Sequence, residues 1–313
     1  MEVFSLISFS NSYNKIDEID ELVSAAVIAS LLEVSALKPG NVHPNRNIPS
    51  TRFEHFLCAN VVVYNSLKEI ALGGSIGTNI LQAVNKTKKW QHGGNINFGI
   101  LLLFAPILAA AGKMIKEKKE VSNMEELKRL IKEIVDGTTY EDSVKIYQAI
   151  KIVQPGGLGS VEDLDVNNED SIRKIIDDKI DLKYIFNQAS SWDNIAREWV
   201  TNYEISFKIG LPFFSSCYEK NKDLFKCITL TFLKILSEYP DTLIIRKTNK
   251  QIALEISKKA KEILEIKDPL KQNKEIFDFD DYLHGFNGKY NPGTTADLVA
   301  NTIFLAIING LHF

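Results

Sequence analysis

At 313 residues, with 45% hydrophobic and 25% charged side chains, the chain can bury a large core, as one big domain or two small ones. Its net charge of −3 provides no general basic field, which speaks against nucleic acid as a partner. Three cysteines without a C-x-x-C pair, and five histidines without H-x-x-x-H spacing, argue against a disulfide scaffold or zinc cluster and for a reducing cytoplasm.

The N-terminal stretch has Glu2 early and no basic segment ahead of a long apolar run, so no secretory signal is expected. Residues 18–37 form a long segment that is apolar nearly all round, which predicts a buried central helix stopped by Lys38-Pro39-Gly40. Helices are predicted next over 53–71, ended by Gly73-Gly74, then over 75–86 and over 97–118 with a bend at Pro106. The apolar run 100–111 is too short to cross a bilayer, so it is read as a core helix and no membrane is expected. A helical pair at 124–135 and 140–153 ends at Pro155-Gly156-Gly157-Leu158-Gly159. The acidic stretch 160–183 reads as a polar surface excursion with one short helix. Helices resume over 192–209, 213–237, 250–266 and 295–308, the last opened by Asn291-Pro292-Gly293-Thr294-Thr295. Alternating β-branched runs are almost absent, and the expectation is an all-α protein, one helical domain spanning residues 1–313.

Polar groups placed at helix ends or inside apolar helices need partners, so five segments invite a chemical reading. Glu33 lies within the first apolar helix, five residues ahead of Lys38, and a buried carboxylate there must meet a cation, a metal or a donor. Gly40 permits a tight turn and close approach to a ligand; a helix C-terminus satisfied by Lys38 is the plainer alternative. The turn Gly93-Gly94-Asn95-Ile96-Asn97-Phe98-Gly99 offers backbone N–H groups and two amides, yet it matches neither the P-loop nor the dinucleotide fingerprint. Asp193 and Arg197 fall at i and i+4, on one face with Thr201 and Glu204, either as a solvated salt bridge or as a stripe for Mg²⁺ and phosphate. Asp241 reads as a helix cap, with Arg246-Lys247 exposed or facing an anion. Thr294 or Thr295 can cap the last helix, whose positive end suits a phosphate, and Asp297 in the same turn faces the cap or holds a cation beside it.

In this order, Lys38-Pro39-Gly40-Asn41-Val42, Asn95-x-Asn97, Pro155-Gly156-Gly157-Leu158-Gly159, Ala196-Arg197-Glu198, Pro240-Asp241-Thr242-Leu243 and Asn291 to Leu298 resemble the triphosphoribosyl-dephospho-coenzyme A synthase family, in particular its archaeal-type branch. The resemblance runs from about Val23 to Ile308. It implies a mostly helical cytoplasmic enzyme that takes ATP and a divalent cation, joins the ribose C1 of ATP to the 2′-hydroxyl of dephospho-coenzyme A, and releases adenine. Bacterial members carry Thr-His-Lys-Gly where this chain has Ile96-Asn97-Phe98-Gly99, so a cation and a histidine are absent from places that touch phosphate or base.

Such chemistry needs cations and Mg²⁺ on the triphosphate, a carboxylate for the hydroxyl proton or the sugar cation, and a donor for the departing base. The expected assignments are Lys38, Gly40, Asn41, Arg197, Thr294 and Thr295 at the nucleotide and its phosphates, with Asn95 and Asn97 on base or ribose. Glu33 is the expected base, Asp193 serves catalysis and the metal, and Glu198 and Asp297 are further metal candidates. Two alternatives stay open on the same residues: a metal-dependent nucleotide hydrolase, and a helical nucleotide-binding protein without catalysis. The acceptor and the oligomeric state, a homo-oligomer included, are also open.

Overall fold

The computed structural model describes residues 15–157 and 164–311. Along these run α1 (Lys15–Ser35), α2 (Phe53–Val62), α3 (Tyr64–Ala71), α4 (Ile76–Trp90), α5 (Phe98–Lys116), α6 (Met124–Asp136), α7 (Tyr140–Val153), α8 (Glu169–Asp177), α9 (Leu182–Ala189) and α10 (Asn194–Val200). After a π-turn (Ser206–Gly210) follow α11 (Leu211–Asn221), α12 (Leu224–Glu238), α13 (Thr242–Lys247), α14 (Lys250–Leu264), α15 (Pro269–His284) and α16 (Gly293–Ile308). Among the described residues there is no strand, only two isolated bridges in the turn after α1, so the all-α expectation holds. Residues 1–14, on which the signal-segment reading rests, and Leu158-Gly159 with the acidic residues Glu162 and Asp163 lie outside the described residues.

Helices α1, α5 and α16 pack against one another at the centre. Nearly every side chain of α5 and α16 is buried, which is why neither shows a polar face in the sequence. At 19 residues α5 is in fact long and apolar enough to cross a membrane; its burial inside the fold, not its length, is what marks it as a core helix. Pro106 removes the N–H that would bond Leu102 O and disturbs the next bond in the ladder. Two buried side chains fill that gap: Trp199 Nε1 donates to Leu102 O at 3.1 Å and the Tyr203 hydroxyl donates to Leu103 O at 2.8 Å. The proline thus binds the segment after α10 to the central helix, and Phe104 against Phe304, centroids 4.8 Å apart, closes α5 on α16.

Several expected boundaries move. The helix expected over 53–71 breaks at Val63, and α2 packs beside α1 and α4 while α3 packs beside α5. The helix expected over 192–209 breaks where Asn202 and Tyr203 take positive φ of 57° and 63°. The excursion is more than polar surface: Val166 and Ile175 bury against Tyr147, whose hydroxyl donates to Leu164 O at 2.7 Å. Helices α9 and α15 are additions. Both carry a start signal, Asp181 capping Tyr184 N at 2.7 Å, and Asp268 followed by Pro269 in the first turn.

Candidate active site

The amino ends of α5, α10, α13 and α16 converge beside the carboxyl end of α1, so four positive helix ends face a shared region. Asp193 caps α10, its Oδ1 accepting from Ile195 N at 2.9 Å and Ala196 N at 3.0 Å, while its Oδ2 pairs with Arg246 of α13. Asp241 caps α13 through Oδ1, from Leu243 N at 2.8 Å and Ile244 N at 3.1 Å. Its Oδ2 crosses to α16, accepting from Thr295 N at 2.7 Å and Thr295 Oγ1 at 2.8 Å. Thr242 Oγ1 donates to Thr294 Oγ1 at 3.2 Å and accepts from Asn194 N at 3.3 Å, tying three helix starts together.

Asp297, one turn into α16, is the exception. It is partly buried, and no hydrogen bond from the described residues reaches its carboxylate. It faces the start of α5 so closely that a methyl group on Gly99 would come within 2.7 Å of Asp297 Cγ and within 2.7 Å of Ile195 Cδ1. Burial raises its pKa well above the usual carboxylate range, and the nearby charges of Glu33, Asp241 and Asp193 add to the rise, with Arg246 opposing.

Glu33 and Lys38 form a buried pair, Lys38 Nζ to Glu33 Oε1 at 3.1 Å. The ammonium also donates to the carbonyls of Glu33 and of Ala36, the latter at 3.1 Å, which uses its three N–H groups on the end of α1. Burial raises the Glu33 pKa and lowers that of Lys38, each opposed by the partner's charge. Gly40 turns with φ 79°, its would-be Cβ 2.9 Å from Leu283 Cβ, and its N–H donates to Asp280 Oδ1 at 2.8 Å. Asn41 Nδ2 donates to Pro292 O at 3.4 Å, joining this turn to the start of α16. Asn97, with φ 61°, precedes α5 and donates to Asn60 Oδ1 at 2.6 Å and Ser30 Oγ at 3.4 Å; the three residues line a small buried cavity.

The structure therefore brings Glu33, Lys38, Asp193, Thr294, Thr295 and Asp297 into one neighbourhood, with Gly40, Asn41 and Asn97 behind it, and it alters several expected roles. Lys38 spends its donors on α1 and Glu33, so it is not free for phosphate. Neither Thr294 nor Thr295 caps α16; the cap is Pro292, and the positive helix end already meets the Asp241 carboxylate, which removes the phosphate seat expected there. Arg197 does not pair with Asp193: the cap geometry points Asp193 at Arg246, and Arg197 lies on the Tyr239 ring, 3.8 Å from Glu204. Glu198 is fully buried, accepting from Ile205 N at 2.6 Å and Ser206 N at 3.3 Å, so its carboxylate closes the break after α10. Asn95 is exposed.

Sequence reading missed the roles of Arg246, Asn60, Ser30 and Asp280. Arg246 stood out only as half of a basic pair. Asp280 lies in the helix that the reading omitted, where it accepts from Gly40 N, Arg46 Nη1 at 3.1 Å and His284 Nδ1 at 3.0 Å. The glycine loop supports the same corner: a Cβ on Gly157, whose φ is 72°, would sit 2.7 Å from Arg246 Cβ.

Comparison with known proteins bears on this arrangement. A crystal structure provisionally described as a triphosphoribosyl-dephospho-coA synthase from Archaeoglobus fulgidus aligns with a TM-score of 0.64 over 82% of this chain and 99% of that one, at 24% identity, which shows a shared fold. No curated protein matches the chain. Residues 19–312 match the family model CitG, ATP:dephospho-CoA triphosphoribosyl transferase. With nearly its whole length inside that match, the chain belongs to the CitG family of transferases.

Proposed function

We propose that the cluster of Glu33, Asp193, Asp241 and Asp297 with Arg246 is where this transferase holds the triphosphate end of ATP and joins its ribose to dephospho-CoA. One observation carries the reading: Asp297 is a partly buried carboxylate without a hydrogen-bond partner among the described residues, its pKa raised by burial and by three acidic neighbours. Structural carboxylates find donors, and one left without them is suited to a cation.

The donor set fits Mg²⁺, a hard ion that prefers carboxylate oxygen. Among the described residues no group of three or more His, Cys, Asp or Glu side chains stands close enough to hold a metal alone. Mg²⁺ usually takes one or two carboxylates and completes its shell with water and substrate phosphate, so Asp297 and Asp193 suffice beside a triphosphate. When bound, the ion would neutralise the phosphates and hold them in place.

Arg246, already aligned by Asp193, supplies a guanidinium to the phosphates, and Lys247, which gives one N–H to Gly288 O at 2.9 Å, follows it in the chain. These two take that role in place of Lys38 and Arg197. Glu33 remains the proton acceptor: Lys38 occupies Oε1, and Oε2 makes no hydrogen bond. The dephospho-CoA 2′-oxygen attacks ribose C1 as the C1–N9 bond breaks; adenine leaves with the bonding pair and takes up a proton, and the hydroxyl proton passes to Glu33. Lys38 is then a positioning residue that keeps Glu33 oriented. Such substrates place the enzyme in the cytoplasm.

The test is incubation of the protein with ATP, Mg²⁺ and dephospho-CoA, followed by chromatography. Free adenine in equal amount to a triphosphoribosylated product is the expected result. Pyrophosphate or phosphate without adenine would show attack at phosphorus and a hydrolase instead. Glu33→Gln should abolish adenine release while retaining the thermal shift given by ATP and Mg²⁺; full turnover in that variant removes Glu33 from the reaction.

A further inference from the structure

The cysteines form a second place of interest, outside the carboxylate cluster and unused by the transfer. Cys217 lies on α11 and Cys227 on α12, two helices joined by a short turn and packed side by side. Their sulfurs face each other with Sγ to Sγ at 2.6 Å, and both thiols are free. Cys227 is fully buried and Cys217 retains 8% exposure. Asn221 Nδ2 donates to Cys217 O at 2.8 Å and reaches Cys217 Sγ at 3.5 Å. Burial, with Cys217 beside it, raises the Cys227 thiol above its usual range.

We propose that Cys217 and Cys227 are an oxidation site that closes to an intramolecular disulfide, with Cys217 the sulfur that meets the oxidant and Cys227 the resolving one. With hydrogen peroxide the steps balance. The Cys217 thiolate attacks one peroxide oxygen, the O–O bond breaks, and the released hydroxide takes up a proton to leave as water, giving a sulfenic acid. The Cys227 sulfur then attacks Cys217 Sγ; hydroxide departs with the Cys227 proton as a second water, and the S–S bond forms. Two thiols are oxidised by two electrons and one peroxide is reduced.

The sulfurs already face each other across the two packed helices, so the bond adds a cross-link between neighbours. Its placement links it to the active-site frame. Thr229, two residues beyond Cys227 on α12, donates to Leu37 O at 2.7 Å, the carbonyl immediately before Lys38. Fixing α11 to α12 therefore steadies the helix that holds the Lys38 turn. The disulfide is a clamp that resists unfolding and leaves turnover intact, and a cytoplasmic reductant reverses it.

The experiment treats the fully reduced, folded protein with hydrogen peroxide or oxidised glutathione, blocks remaining thiols under denaturing conditions, and maps the digest by mass spectrometry without reduction. Cys58, partly exposed on α2, is the internal control. The expected result is a Cys217–Cys227 linked peptide, with Cys58 blocked or singly modified, and reversal by dithiothreitol. A midpoint of thermal unfolding about 5 °C higher in the oxidised form, absent in Cys217→Ser and Cys227→Ser, should accompany it. Both sulfurs remaining fully blockable while Cys58 oxidises would overturn the proposal, as would a mixed disulfide trapped on either one. The mapping uses the natural chain, so it decides the matter even where a serine variant fails to fold.

Discussion

Asp280 is buried and Asp297 is partly buried, yet the two are opposites. Asp280 is surrounded by donors: the Gly40 N–H, the Arg46 guanidinium and His284, with His43 Nε2 nearby at 3.6 Å. Burial works against its charge, but the bonds from His284 and Gly40 and the nearby His43 ring prevail and hold it below the ordinary carboxylate range. Asp297 has no donor and three acidic neighbours, so burial and repulsion push it the other way. The same residue type thus fastens a turn in one place and is held ready for a cation in the other. Folding energy is spent at Asp297 and gained at Asp280, which is the pattern expected when only one of the two is kept for binding.

Substitution separates them most sharply. Asp297→Asn should lower adenine release by about 10³-fold or more, the scale of losing an electrostatic contact to the reacting phosphates, while the thermal midpoint stays equal to or above that of the natural chain. Asp280→Ala should do the reverse. Removing a buried carboxylate on which Gly40, Arg46 and His284 converge costs about 3–5 kcal/mol, read by urea denaturation, with residual activity scaling with the folded fraction. If Asp280→Ala proved stable and inactive, or Asp297→Asn unstable and active, the contrast would be reversed.

Proton linkage gives a second, smaller contrast. A carboxylate raised in the folded state binds protons there that the unfolded chain has already released, so its contribution is present below the unfolded pKa and is lost as pH rises through the folded value. Asp297, Glu33 and Asp241 all shift upward, with burial the main cause in each. Asp280 shifts downward, so its contribution is complete above the unfolded pKa and is lost only in acid. Without metal, unfolding midpoints should therefore fall as pH is raised from about 5 to 8. Asp297→Asn should flatten that slope, and Mg²⁺ should offset it in the natural chain by binding the charged form. A slope unchanged by both would mean that Asp297 is already ionised and compensated.

The same contrast explains what could be read from sequence. The central helices were legible because burial all round leaves a continuous apolar signal, as in α5 and α16. The acidic residues were legible as misfits, since Glu33 and Asp297 interrupt apolar helices. Their partners were not legible: Lys38 and Arg197 looked equally cationic, and only the fold decides that Lys38 is used up on α1 while Arg246 reaches Asp193. Helix α15 was lost because its exposed face dilutes the apolar period, and Asp280 was lost with it. Periodicity reports which side of a helix is buried, but a pairing across 53 residues, as between Arg246 and Asp193, leaves no periodic trace.

Glu198 offers the smallest and finest test, because it combines the two behaviours. Like Asp280 it accepts backbone hydrogen bonds, from Ile205 and Ser206; like Asp297 it is raised chiefly by burial. Burial prevails, and its pKa is pushed up to about 7, with the bonds from Ser206 and Ile205 opposing. Its contribution is therefore present at low pH and is lost as pH rises through about 7. Glutamine keeps an acceptor oxygen for Ile205 N and carries no charge, so Glu198→Gln should match the natural chain within about 1 kcal/mol near pH 6. Above pH 7 it should become the more stable of the two, by urea denaturation, with no change in the Mg²⁺ dependence of adenine release. A variant that instead lost its Mg²⁺ requirement or its activity would return Glu198 to the metal site, from which its hydrogen bonds to the chain after α10 now remove it.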